Sequence, residues 1–268
     1  MTDRYGVVGH PIAHSKSPFI HTAFAAQTGQ DIEYGQVEVP VDGFTSSIRQ
    51  LMAEGWSGVN VSLPFKTQAF ALADRVSDRA QAAQAINTLT FRKGAIYGDN
   101  TDGAGLVADL RGSLQYPLME SRVLLIGAGG AARGVIKPLL DAGVNSLTIT
   151  NRTYQKSLEL AAFFNIDALP MSDCASTFDL IINATSASVS GATPDLPACV
   201  FGLHTLAYDM FYARGPTAFM QMATSQGART ADGLGMLVAQ AAEAFFIWRG
   251  VRPDTSAVLT ALRAAVLK

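Results

Sequence analysis

One lysine stands out as able to transfer a proton, with a carboxylate to pair with it. Lys66 closes the stretch Gly58-Val-Asn-Val-Ser-Leu-Pro-Phe-Lys66, which reads as a strand running into the first turn of a helix. The helix dipole disfavours a cation at that end, and lysines usually sit toward the other. A carboxylate nearby would favour the ammonium, and Asp102 in Gly98-Asp-Asn-Thr-Asp-Gly103 is the candidate. Asn60 and Ser62 lie two residues apart and so share one face of the strand, near the carboxyl end where open α/β sheets bind ligands. In His14-Ser-Lys-Ser-Pro-Phe19, Ser17 occupies a favoured N-cap position with Pro18 at N1, which accounts for one serine and leaves Ser15. Two hydroxyls beside the free N–H groups of a helix start also suit a carboxylate. Asn87 at a chain reversal and Gln240 in an apolar helical stretch add amides, and the set suits a small hydroxylated acid. Taken singly, each stretch also has a plain reading as turn chemistry, a solvated lysine or a packed amide.

A second kind of chemistry is written in Val123-Leu-Leu-Ile-Gly-Ala-Gly-Gly-Ala-Ala132. Val123 to Ile126 reads as a buried strand, Gly127 and Gly129 permit a tight turn with close backbone approach, and Ala131 to Leu140 continue as a helix. The spacing fits G-x-G-x-x-A with Ala132 third, and a diphosphate would meet unpaired N–H groups at the positive end of the helix. A turn between any strand and helix wants glycine too, so the flanks matter. Ser146-Leu-Thr-Ile-Thr150 follows at the distance of a βαβ unit, and its end carries Asn151, Arg152 and Thr153, with Lys156 close behind. No Asp or Glu stands there to take the adenine ribose hydroxyls, whereas a guanidinium and a hydroxyl suit a 2′-phosphate. The expected cofactor is NADP.

The elements that must position these groups alternate strand and helix. Strands are expected at residues 5–9, 34–39 and 57–63, and helices at 18–27, at 43–53 with Ile48, Leu51 and Met52 inward, and from Lys66 to Leu72. Residues 87–91 and 95–97 flank Arg92-Lys-Gly94 as a hairpin. This is a mostly parallel α/β sheet. Leu106–Leu114 is expected as a connecting helix, 115–121 as a turn-rich break, and 179–183 and 206–210 as further strands of the nucleotide unit, with a domain boundary near residue 102. Gly235–Trp248 and Thr255–Leu267 are helical patterns rich in alanine, in which Met236 and Leu237 read as core.

Composition excludes several partners. The 268 residues are 49% hydrophobic and 16% charged, enough for two modest cores, and the net charge of −2 leaves no electrostatic footprint for nucleic acid. No stretch approaches a membrane span and Met1-Thr-Asp-Arg lacks the apolar core of a signal peptide, so a cytoplasmic protein is expected. Cys174 and Cys199 are far from a C-x-x-C arrangement, and His10, His14, His21 and His204 share no ligand spacing; reduced thiols and no metal are expected.

The motifs Gly9-His-Pro-Ile-Ala-His-Ser-Lys-Ser-Pro18, Gly58 to Lys66, Gly98 to Gly103, Gly127-Ala-Gly-Gly-Ala131, Asn151-Arg-Thr153 and Asp232-Gly-Leu-Gly-Met-Leu-Val-Ala-Gln240 resemble those of the shikimate dehydrogenases, in the same order and over nearly the whole chain. The resemblance implies reversible NADPH-dependent reduction of 3-dehydroshikimate to shikimate, on the route to chorismate and the aromatic amino acids. It implies two α/β domains: a substrate-binding one, residues 1–102 plus 237–268, and a Rossmann-type NADP-binding one, residues 103–236, with the active site in the cleft between them. By motif, Lys66 and Asp102 are the catalytic pair, and Ser15, Ser17, Asn60, Ser62, Asn87, Tyr212 and Gln240 line the substrate site with them. Gly127, Ala128, Gly129, Gly130, Ala131, Asn151, Arg152, Thr153, Lys156, Met210 and Gly233 touch NADP, and Asp78 matches a further cofactor-side position. The family commonly has threonine where Ser62 stands and often arginine where Lys156 stands. Ser62 therefore lacks the methyl that limits rotation, and Lys156 lacks the bidentate fork. The rival readings are a dual quinate/shikimate dehydrogenase with relaxed use of NAD and NADP, and a non-catalytic NADP-binding regulator on the same scaffold. The expected partner is a small molecule, with no nucleic acid or membrane, on a monomer or homodimer.

Overall fold

The structure, a computed structural model, describes residues 2–266. It forms two compact units, residues up to Gly105 with Val238–Leu262, and Leu106–Leu237 with the residues from Arg263 on. In chain order the first stretch runs β1 (Asp3–Gly9), α1 (Ser17–Thr28), β2 (Ile32–Glu38), α2 (Phe44–Ala53), β3 (Gly58–Val61), α3 (Lys66–Leu72), β4 (Arg75–Val76), α4 (Asp78–Ala83), β5 (Thr88–Arg92), β6 (Ala95–Asp99) and α5 (Asp102–Arg111). Its sheet has the order β2-β1-β3-β5-β6-β4. The pairs of β1 with β2 and β3, and of β4 with β6, are parallel, while β5 runs against both its neighbours. The hairpin from β5 to β6 turns on Lys93 and Gly94, with φ of 50° and 78°, the left-handed pair that a two-residue connection needs. Successive side chains of β1 feed opposite faces, Val8 into a core with Phe44, Ile48, Val59 and Phe65, Tyr5 and Val7 into another with Tyr34 and Trp248.

The second unit is the simpler one. It contains β7 (Arg122–Ile126), α6 (Gly130–Asp141), β8 (Ser146–Thr150), α7 (Tyr154–Phe164), β9 (Asp167–Ala168), β10 (Leu180–Asn183), β11 (Leu206–Asp209), α8 (Ala218–Ser225) and β12 (Arg229–Ala231); α9 (Leu234–Arg249) and α10 (Ser256–Val266) follow. Every pair in the order β12-β11-β10-β7-β8-β9 is parallel. Central β7 sends Val123 and Leu125 to one core and Leu124 and Ile126 to the other, so both faces are covered, as an all-parallel sheet requires. The order reverses at β7, with β8 and β9 on one side and β10 to β12 on the other. That is the switch point at which such sheets bind ligands.

Several expectations are corrected. The third strand ends at Val61 rather than Leu63, so Ser62 begins the turn that leads through Pro64 to α3. The helix expected from Leu106 starts at Asp102, which makes that carboxylate its first residue. Met52 and Leu237 are only half-buried, whereas Ile48, Leu51 and Met236 are core. Leu267 and Lys268, where the last helix and the first domain were expected to end, lie outside the described residues. Helix α7 escapes a periodicity search because its buried stripe is narrow and begins with a serine: Ser157, Leu160 and Ala161. Among the described residues no helix is long and apolar enough to cross a membrane, and no cluster of His, Cys, Asp or Glu could hold a metal. Both cysteines are free.

His21 is a packing residue with a titration consequence. Fully buried on α1, it stacks on Tyr34 with ring centroids 4.1 Å apart and planes 4° apart, beside Phe24, Phe245 and Trp248. Burial pushes its pKa down to about 3; the Asn60 amide opposes this weakly, and neither ring nitrogen has a hydrogen-bond partner. An unfolded histidine takes a proton near pH 6.5, so below that pH the unfolded chain binds a proton that the folded chain refuses. Stability is therefore unaffected by His21 above pH 6.5 and falls as the pH drops toward 3, by about 1.4 kcal/mol per unit and about 2 kcal/mol at pH 5. His21→Phe, which keeps a flat ring in the aromatic cluster, is expected to flatten that acid limb in urea unfolding measured between pH 4.5 and 7. An unchanged slope would contradict the assignment.

Candidate active site

The two ends of a short polar chain meet at Asp102. Lys66 is the first residue of α3, and its Nζ donates to Asp102 Oδ2 at 2.6 Å; the side chains are 28% and 11% exposed. Each group opens a helix. The carboxylate at the start of α5 is favoured by that helix's dipole, the ammonium at the start of α3 is opposed by its own, and the ion pair offsets that opposition. The other carboxylate oxygen, Oδ1, accepts from Asn87 Nδ2 at 2.8 Å. Asn87 is held in that orientation because its Oδ1 accepts from the Thr101 backbone N–H at 2.8 Å and from the Thr88 hydroxyl at 3.0 Å. Gln240 Oε1 accepts from Asn87 and from the Thr101 hydroxyl at 3.2 and 3.3 Å. Gly105 makes that approach possible, since a Cβ there would lie 2.6 Å from Gln240 Cβ and 2.7 Å from its backbone nitrogen.

The other sequence-expected groups of this unit are more varied in role. Asn60 is 6% exposed, and its amide is committed within the protein: Oδ1 accepts from the Tyr34 hydroxyl at 2.7 Å, and Nδ2 donates to Asn87 O and Thr88 Oγ1, both at 3.1 Å. It supports Asn87 from behind. Burial pushes the Tyr34 phenol up, with the nearby Ser17 hydroxyl acting the other way, so the phenol is neutral and donates. Ser17 is not the N-cap of α1; that position is Lys16, and no side chain caps the helix. Instead Ser15 does the local work, its Oγ accepting from the Ser17 N–H at 3.3 Å and its hydroxyl donating to Ser17 Oγ at 3.2 Å, which puts both hydroxyls together at the helix start. Ser62 is half-exposed, and its hydroxyl makes no hydrogen bond among the described residues. Asp78, exposed at the start of α4, also belongs to this unit. Tyr34, Thr88 and Thr101 join this network without a signal of their own in the sequence. Thr101 sits inside a quoted motif, but nothing in the sequence separates Tyr34 from a core aromatic.

In the second unit β7 runs into Gly127, whose φ of +109° favours glycine and where a Cβ would meet the Ala184 carbonyl oxygen at 3.1 Å. Gly129 and Gly130 are different. Gly129 has a φ of −91°, Gly130 opens α6, and a Cβ on either would find nothing within 4 Å. The fold does not require these two to be glycine, and the space beside them could admit a ligand. No side chain caps α6, so its first N–H groups face that open space, while Ala132 is fully buried. At the end of β8, Asn151 donates to Thr153 O at 3.0 Å, and Arg152 and Lys156 are exposed with no acidic partner among the described residues. Two unpaired cations and no carboxylate fit the 2′-phosphate of NADP and disfavour a bare ribose. Gly233 lets the chain pack against Met210, where a Cβ would overlap the carbonyl oxygen. Half-buried Tyr212 lies two residues beyond Met210, its phenol pushed up by burial.

A glycine turn that fits a dinucleotide in one unit and a lysine–carboxylate pair in the other suit one class: the nicotinamide-dependent oxidoreductases, in which the cofactor moves hydride and side chains move the proton. Family models extend this along the chain. The shikimate dehydrogenase substrate binding domain matches residues 7–89, shikimate/quinate 5-dehydrogenase residues 111–192, and the shikimate 5′-dehydrogenase C-terminal domain residues 233–263. A protein named shikimate dehydrogenase (NADP(+)) from Dechloromonas aromatica is 54% identical over 273 residues, covering 100% of both chains. Among solved structures, an Ael1 enzyme from Pseudomonas putida superposes with a TM-score of 0.94 at 48% identity, over 97% of this chain and 98% of that one. Shikimate 5-dehydrogenase from Thermus thermophilus, in complex with NADP(H) and shikimate, superposes at 0.90 with 35% identity, over 98% and 100%. The chain belongs to the shikimate dehydrogenase family.

The empty surroundings of Gly129 yield a test. Gly129→Ala is expected to change folding stability by about 1 kcal/mol or less, the scale of a helix-cap substitution, while weakening NADP binding at least about ten-fold in a fluorescence titration. Unaltered affinity in the folded variant would remove the turn from the cofactor site.

Proposed function

We propose that this protein catalyses the reversible, NADPH-dependent reduction of 3-dehydroshikimate to shikimate, a step of chorismate and aromatic amino acid biosynthesis. The observation that carries the chemistry is the 2.6 Å contact between Lys66 Nζ and Asp102 Oδ2. An ammonium has three N–H donors and the carboxylate occupies one, so the others are available to a substrate oxygen.

Bound NADPH supplies the hydride that reduces the ring carbonyl carbon. Lys66 gives a proton from Nζ to the oxygen on which charge develops, and takes it back in the reverse direction. Asp102 keeps that ammonium aimed, and through its own oxygens accepts from a substrate hydroxyl. Asn87 fixes the carboxylate and Gln240 accepts from Asn87 in turn, and both amides line the place of the ring hydroxyls. Ser15 and Ser17 hold the substrate carboxylate: in the present arrangement they bond to one another, and rotating both hydroxyls outward gives two donors at an uncapped helix start. Ser62, half-exposed with an uncommitted hydroxyl, lies two residues along the chain from Asn60 and completes this side of the site. Free thiols agree with a reducing cytoplasm as the place of action.

The reading is tested by following absorbance at 340 nm with shikimate and quinate, each against NADP and NAD. Turnover is expected with shikimate and NADP in preference to the other three pairs, and its absence would contradict the reading. Lys66→Ala is expected to lower kcat by about 100-fold or more with little change in the KM for shikimate, because the ammonium acts on charge that develops only in the transition state. Near-normal turnover in that variant would take Lys66 out of the chemistry.

A further inference from the structure

Asp209, the last residue of β11, is a fully buried carboxylate with no cationic partner among the described residues. Its Oδ2 accepts from the hydroxyls of Ser188 and Thr217, each at 2.6 Å, and its Oδ1 from Asn183 Nδ2 at 3.3 Å and the Phe211 N–H at 3.1 Å. Asn183, Ser188 and Thr217 are themselves buried, and Asn183 Nδ2 also reaches Ser188 Oγ at 3.0 Å. A buried acid is rare unless paired, and an apolar side chain would fill the same space. What the acid adds is a set of charge-assisted bonds to three separate segments: the end of β10, the turn after it that carries Ser188, and the loop from β11 to Thr217, the N-cap of α8.

Those segments have a definite place around the cradle. The glycine turn ends β7; β8, which ends beside Arg152, lies on one side, and β10 and β11 lie on the other. A dinucleotide with its diphosphate at the glycine turn and its 2′-phosphate at Arg152, on the β8 side, would extend its other half toward the ends of β10 and β11. The turn after β10 also touches the glycine turn, at the close approach of Gly127 to the Ala184 carbonyl. Thr185 is tied back in turn, its N–H and hydroxyl both donating to Asn183 Oδ1, at 3.1 and 2.7 Å.

We propose that Asp209 is a positioning residue for the nicotinamide half of the cofactor: it latches the turn at residues 184–190 and the loop at 210–217 into the shape that receives that half. The proposal rests on the reading of this unit as the NADP site. Asp209 touches no ligand itself and acts through Ser188, Asn183 and the backbone at Phe211.

The test compares the whole dinucleotide with its adenylate half on the full-length protein. Binding of NADP+ and of 2′,5′-ADP is measured by titration calorimetry for the wild type, Asp209→Asn and Ser188→Ala. Asp209→Asn keeps the shape and removes the charge. It is expected to raise the Kd for NADP+ about ten-fold while leaving that for 2′,5′-ADP within about two-fold, and Ser188→Ala to shift the two Kd values in the same unequal way by a smaller factor. A purely structural role would weaken both ligands together, and that result, or an unaltered NADP+ affinity in the folded variants, overturns the proposal. If Asp209→Asn does not fold, the split in Ser188→Ala decides the matter alone. Failure of the wild type to bind NADP+ would instead overturn the reading of the unit, and the latch with it.

Discussion

An ammonium at the wrong end of a helix needs a reason to be there, and the carboxylate of Asp102 supplies it. Lys66 opens α3 against that helix's dipole, and Asp102 opens α5 in accord with its own. The pair meets because β3 and β6 run in the same direction on either side of antiparallel β5, so that the turn after β3 and the chain beyond β6 leave the same end of one sheet. A run of buried amides and hydroxyls leads to this meeting. Asn87 holds one carboxylate oxygen, Thr101 and Thr88 hold Asn87, and Asn60 braces the backbone beside it under the Tyr34 phenol. Each amide has only one orientation that satisfies its partners, so the direction of every hydrogen bond is determined from the tyrosine to the lysine.

The second unit solves its problem with backbone rather than side chains. Its sheet is parallel throughout and apolar on both faces, which leaves specificity to the loops at the carboxyl ends of the strands. One glycine is required by its own φ, two stand where a Cβ would meet nothing, and the cations at the end of β8 are exposed, as the proposed cofactor site needs. The buried carboxylate at the end of β11 draws its four donors from the loops and strand end around it.

Local signals were legible in the sequence and long-range ones were not. An apolar run broken by glycine and followed by a small residue announces β7, its turn and α6, because strand, turn and helix are contiguous and each has its own composition. Lys66 at a helix start was legible for the same reason. Ser17 was misplaced as a cap since the rule for N-caps cannot decide between two serines two residues apart, and the backbone chose Ser15 as acceptor. Asn60 shares the strand period of a ligand-facing residue, but the partners that bury its amide come from β2 and β5, and no periodicity in β3 reports them. Likewise the contact of Asn87 with Gln240 joins residues 153 apart in the chain, and Asp209 reads as one more polar residue at the end of an apolar run until the four donors around it are seen.

The central claim is that Lys66 and Asp102 act as one unit. A double-mutant cycle on kcat/KM for shikimate, using Lys66→Met, Asp102→Asn and the two together, measures this directly. If the two side chains work through each other, the double variant is impaired about as much as the worse single one. Losses that multiply, each variant subtracting its own factor regardless of the other, would mean that the 2.6 Å contact holds no shared function.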